Sequence, residues 1–88
     1  MSNNFLRTYE LLPTQNQKSF YGKARVSVNR DGSETLVSYD TKIILRNKDG
    51  KLYRLWNDWS QTTGKHIYAY CGLRKKDYDK LPLLNIYD

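Results

Sequence analysis

Residues 34–47 read Glu-Thr-Leu-Val-Ser-Tyr-Asp-Thr-Lys-Ile-Ile-Leu-Arg-Asn, and how they are read decides the fold. The odd positions, Thr35, Val37, Tyr39, Thr41, Ile43 and Leu45, are apolar or β-branched. The even positions, Glu34, Leu36, Ser38, Asp40, Lys42, Ile44 and Arg46, are mostly polar. That is period two, the mark of a strand buried on one face. Its residue types suit a pleated sheet. Asp31-Gly32 precedes it and Asp49-Gly50 follows it, and Asp-Gly is a reversal signal. The stretch therefore reads as the middle strand of an antiparallel meander.

Working outward, Phe20 to Asn29 supplies the preceding strand. A two-residue turn at Asp31-Gly32 sets Val28 against Thr35, Val26 against Val37, Ala24 against Tyr39 and Phe20 against Ile43. Every pair then joins the apolar faces of both strands, and a slip of one residue would mismatch all of them. Lys23 would meet Asp40 on the reverse face. Lys51 to Trp59 supplies the following strand. Here a three-residue loop of Lys48-Asp49-Gly50, with Gly50 left-handed, sets Leu45 against Tyr53 and Ile43 against Leu55. Leu52, Leu55, Trp56 and Trp59 also fit a helical period, so a helix is the rival reading there.

Beyond Asn57-Asp58 the pattern changes. Ser60-Gln61-Thr62-Thr63 offers helix N-caps, and Gly72 is a natural residue to follow a helix end. A short helix over about 62–71 follows, with Thr63, Ile67, Tyr70 and Cys71 on one face. A fourth strand, with Ile67, Ala69 and Cys71 alternating, is the alternative. Leu73 to Lys80 adds a helical turn, and Pro82 stops it. Leu83, Leu84, Ile86 and Tyr87 form an apolar tail expected against the sheet. At the other end, residues 1–19 form an arm in which Phe5, Leu6, Tyr9, Leu11 and Leu12 make an amphipathic turn or an edge strand. Pro13 ends it, and Thr14-Gln15-Asn16-Gln17 is loop-like.

These elements add up to a small α+β domain: an antiparallel meander of three or four strands with one short helix packed on it. With 88 residues, a single domain over 1–88 is expected, divided into the arm (1–19), the meander (20–59) and the helix with its tail (60–88). Hydrophobic residues make up 39%, a low share, and eight Tyr and two Trp supply much of the burial. Such a thin aromatic core leaves a homodimer that shares it open.

The formal net charge of +6 favours anionic partners, nucleic acid or an acidic protein face. The solitary Cys71 rules out an intrachain disulfide and any zinc site needing two thiolates, and the solitary His66 rules out a multi-histidine site. No metal or cofactor is expected. The start of the chain lacks the pattern of a signal peptide, and no apolar run is long enough to span a bilayer. No membrane partner is expected, and the chain reads as cytoplasmic.

Catalysis by a nucleophile needs a base and an orienting group beside it. His66 and Cys71 share one element but point to different sides of a helix, so a structural role for both is expected, and no enzyme. The better candidate is a binding surface. In the register above, Tyr21, Lys23, Arg25, Lys42, Arg46, Arg54 and Trp56 share the polar sheet face. Cations interleaved with aromatics suit a phosphate backbone and stacked bases. Leu36, Ile44 and Leu52 lie on that face too, and a seat for the helix is the competing reading. Lys65, Arg74, Lys75, Lys76 and Lys80 form a second basic group. Cations near a helix carboxyl end also suit its dipole.

Ser38-Tyr39-Asp40-Thr41, the aromatic strand ending near Trp56, and Ser60-Gln61-Thr62-Thr63-Gly64-Lys65-His66 together resemble a family of small uncharacterised proteins of bacterial phages and mobile elements. The shared pattern is Ser-Tyr-x-Thr, then Trp, then Ser-x-Thr-Thr-x-x-His, and it covers about a third of the chain. The resemblance implies no established activity. It implies a phage-like origin and action by binding a host machine. The expected function is therefore non-enzymatic inhibition of a bacterial defence protein or nucleoprotein complex, for instance a CRISPR nuclease, in the host bacterial cytoplasm. Direct nucleic-acid binding is the alternative, and a small enzyme using His66 is a third class.

Overall fold

The computed structural model describes residues 5–13, 20 and 22–84. Tyr21, the Thr14 to Gln17 loop, and Ile86 and Tyr87 of the tail lie outside the described residues. Five strands, β1 (Phe5–Glu10), β2 (Ala24–Asn29), β3 (Glu34–Ser38), β4 (Thr41–Arg46) and β5 (Leu52–Arg54), precede two helices, α1 (Gln61–Cys71) and α2 (Lys75–Asp79). The strands form one antiparallel sheet in chain order. The fold is α+β, an open meander with a helix across one face. It has five strands rather than three or four. One of the additional strands is β1, which lies at the edge beside β2.

The other arises because residues 34–47 are not one strand. They are a hairpin, β3 and β4, reversed at Tyr39-Asp40 with Ser38 opposite Thr41. Tyr39 adopts φ 57°, a region costly for any residue with a Cβ, and so nothing in the local sequence announces a turn there. Tertiary contacts hold it instead. The Tyr39 amide donates to the Lys23 carbonyl at 2.6 Å, and the Arg25 guanidinium donates to the Tyr39 carbonyl at 2.7 Å.

The pairing of β2 with β3 also departs from expectation. Val26 faces Leu36, and Val37 faces Arg25 on the opposite side of the sheet. The cause is the loop. Asp31 accepts from the Ser33 amide at 2.9 Å and its hydroxyl at 2.6 Å, Gly32 takes φ 92°, and Asn29 bonds across to Ser33 at 2.8 Å. Arg30-Asp31-Gly32 is thus a three-residue loop, one longer than expected, and the register moves by one. The loop at Lys48-Asp49-Gly50 has the expected form. Gly50 is left-handed at φ 88°, Leu45 faces Tyr53, and the Leu55 amide donates to the Ile43 carbonyl at 2.9 Å. After Arg54 the chain is irregular, so neither a strand as far as Trp59 nor the rival helix forms.

A bulge between Leu36 and Val37 on β3 and the facing β4 residues leaves Ile43 unpaired, so that consecutive Ile43 and Ile44 are both buried. They join Val26, Leu36, Ile67 and Tyr78 in the core, with Leu52, Trp56 and Trp59 packed against it. The core face of β3 is therefore Leu36 and Ser38, the reverse of the alternation argument. The seat for the helix, not an open polar surface, is what Leu36, Ile44 and Leu52 form.

Helix α1 begins and ends where its caps dictate. The Ser60 hydroxyl accepts from the Thr63 amide at 3.1 Å, and Gly72 closes the end at φ 75°. Thr63 and Ile67 are buried beneath it, with Tyr70 and Cys71 half-buried. Helix α2 stops before Pro82, and the segment after it pairs with β5 through Arg54 N to Pro82 O at 2.8 Å and Leu84 N to Arg54 O at 2.7 Å. The Tyr78 hydroxyl stitches α2 to the sheet, donating toward the Trp56 carbonyl at 2.7 Å and the Ile43 carbonyl at 3.0 Å. No helix among the described residues is long and apolar enough to cross a membrane.

Candidate functional site

The register places the expected site residues on different surfaces. Arg25 and Lys42 share the face away from the helices, with Val37 between them. Arg46 and Arg54 are on the helix side, opposite Leu52 and Ile44. Arg54 is structural, donating to Leu81 O at 2.8 Å and Asn57 Oδ1 at 3.1 Å, with its guanidinium over the Tyr78 ring. Arg46 lies beside Tyr70 and Cys71 in a small cleft. Trp56 packs against the core. Lys23 stands over the Tyr39 ring at 5.9 Å. Asp40 is approached by Arg25 at 3.8 Å rather than by Lys23. Among the described residues the single basic–aromatic sheet face therefore does not form: the β2–β3 register carries Arg25, and the bulge at Ile43 carries Lys42, to the side opposite Arg46 and Arg54.

Three members of the second basic group are brought together, and Lys80, like Lys76, stays outside. Lys65 on α1, Arg74 just before α2 and Lys75 at its start line a cleft of about 390 Å³ with Phe20, Trp59 and Tyr68. Lys76 is exposed on α2 and is not among the lining residues. Phe20 is buried and Trp59 half-buried, whereas Tyr68 is 36% exposed. The Arg74 guanidinium stands over the Tyr68 ring at 5.1 Å, a cation–π distance. Lys75 pairs with Asp79 at 2.9 Å, and Lys65 and Arg74 make no ion pair among the described residues. The cleft is therefore cationic at its rim and aromatic within.

Gly64 shapes one wall. A Cβ there would fall on Trp59 Cζ2, with Cε2 at 3.0 Å and Cη2 at 3.1 Å. The missing side chain lets the indole lie flush on α1. The sequence pattern does not mark Trp59, Tyr68 and Phe20 as site residues. A signal for part of this surface was present, since Gln61, Gly64, Lys65 and Tyr68 recur at helical spacing on one stripe of α1. Phe20 and Arg74 come from distant segments and leave no such trace.

Behind the cleft lies a buried polar cluster. The Ser38 hydroxyl shares hydrogen bonds with Thr63 Oγ1 at 2.9 Å and His66 Nδ1 at 2.8 Å. His66 is only 1% exposed, with Phe20 edge-on at 4.5 Å and Tyr39 at 6.0 Å between ring centres. Burial holds the imidazole pKa below its ordinary value, which keeps it neutral. These bonds fasten α1 to the end of β3. Cys71 donates to the Ile67 carbonyl at 3.4 Å, and burial pushes its thiol pKa up. No group of three or more His, Cys, Asp or Glu residues suited to a metal occurs among the described residues.

The architecture thus defined is a five-stranded antiparallel meander carrying a capped helix and a cationic cleft. The chain belongs to a protein family of unknown function (DUF8033), whose profile matches residues 9–82, from within β1 to the proline that follows α2. No curated protein and no solved structure matches it.

Proposed function

We propose that this chain is a non-enzymatic binding protein, of phage or mobile-element origin, that engages an anionic face of a bacterial defence complex through the cleft between α1 and α2. The cleft carries the proposal: three cations from two helical segments ring an aromatic interior of about 390 Å³, within the usual range of binding clefts, about 300–1,000 Å³. The overall charge of +6 adds long-range attraction toward such a target. The chemical groups support binding over catalysis. Nδ1 of His66 is engaged by Ser38 in the interior, and the raised Cys71 pKa leaves little thiolate at neutral pH. The defence target follows from the resemblance to phage and mobile-element proteins.

Expression in a bacterium with active CRISPR interference tests the reading. The wild-type chain should restore phage plating, the Lys65→Glu/Arg74→Glu variant should not, and Lys42→Glu on the other sheet face should behave as wild type. Restoration by the cleft variant, or none by the wild type, would overturn it.

A further inference from the structure

We infer that the cleft is a nucleotide seat, taking an unpaired nucleotide of a single-stranded nucleic acid with its base on the exposed Tyr68 ring and its two flanking phosphates on Lys65 and Arg74. The inference rests on the cleft being the working surface and adds the chemistry of what fills it. Two properties of the cleft must be met together. Its rim is cationic, and among the described residues only the Lys75 charge is already matched, by Asp79. Its interior is aromatic and apolar, built from Phe20, Trp59, Tyr68 and Leu73. An acidic peptide segment brings the charge but no flat ring, and would leave the aromatic walls against water. A nucleotide brings both within one residue's length. Stacking on aromatic side chains with cations tracking the backbone is the general mode for single strands. In a duplex the bases are already stacked and paired, so none can enter without being flipped out. The Gln61 side chain, also lining the cleft, has both donors and an acceptor for a base edge.

The test is binding of labelled oligo-dT to the full chain by fluorescence anisotropy, beside a duplex of equal length, free dTMP and a phosphotyrosine peptide. Neutralising two phosphates gives a salt slope near 1.4 on a single strand, so going from 50 to 200 mM salt should weaken binding by about sevenfold. Lys65→Gln/Arg74→Gln should remove most of that dependence, and Lys42→Gln should leave it unchanged. Tyr68→Leu, at an exposed position, should weaken binding by about tenfold or more through lost stacking. Duplex binding as tight as the single strand, dTMP binding as tight as oligo-dT, or preference for the phosphotyrosine peptide would each overturn the inference. If no probe binds while the cleft variant still fails to restore phage plating, the nucleotide seat falls and the cleft reading stands. If that variant restores plating too, both fall.

Discussion

Gly64→Ala would isolate the contact on which the cleft is built. Two effects oppose one another. Alanine is better than glycine inside a helix by about 1 kcal/mol. Against that, the new Cβ lands on the Trp59 ring, with Cε2 and Cη2 at 3.0 and 3.1 Å. The indole is rigid and already packed against Tyr78, 5.8 Å between ring centres, so the atoms in the way have little room to yield. Overpacking of this kind costs about 1–3 kcal/mol, and a ring clash belongs at the upper end. The net loss is about 2 kcal/mol. For a domain of this size that is a melting temperature lower by roughly 8–16 °C. Far-UV circular dichroism melts measure it. Repeating the substitution in a Trp59→Leu background removes the obstruction and leaves only the helix preference, so Gly64→Ala should there stabilise by about 1 kcal/mol. That reversal of sign is a coupling of about 3 kcal/mol, within the range of residues in contact. A rise in melting temperature in the wild-type background, or an equal fall in both, would refute the account of why glycine stands in this helix.

His66 gives the fold an acid sensitivity. Burial lowers its folded pKa, so as pH falls below about 6.5 the unfolded chain takes up a proton first. Stability is fully present above that value and should decline by up to about 1.4 kcal/mol per pH unit until the folded pKa is passed, with His66→Gln flattening the urea midpoints in that window. Ser38→Ala leaves the buried His66 and Thr63 without their shared partner and should cost about 1–3 kcal/mol in urea denaturation; an unchanged midpoint would show that water replaces the hydroxyl. Tyr78→Phe deletes the hydroxyl that bridges α2 to Trp56 O and Ile43 O and should cost about 1–2 kcal/mol, with oligonucleotide binding unaltered.

What the linear sequence determined is local. Ser60 and Gly72 bound α1 because a hydroxyl three residues from an amide, and a glycine able to turn left-handed, are sufficient for caps wherever the helix lies. The loop at Lys48-Asp49-Gly50 is likewise complete within itself, with Asn47 Oδ1 accepting from the Asp49 and Lys51 amides at 3.0 and 2.8 Å. The antiparallel meander and the helix packed on it follow from such signals. Which face of β3 is inside does not. It depends on the one additional residue in the Arg30-Asp31-Gly32 loop, on the bulge at Ile43, and on a tyrosine at φ 57° held by Lys23 and Arg25. Each costs free energy locally and is offset only by contacts far along the chain. The cleft belongs to the same class, since Phe20, Trp59, Tyr68 and Arg74 meet only after the sheet has carried α1 and α2 to one side. Short-range hydrogen bonds leave a signature in neighbouring residues, whereas burial is a property of whatever the finished fold brings alongside.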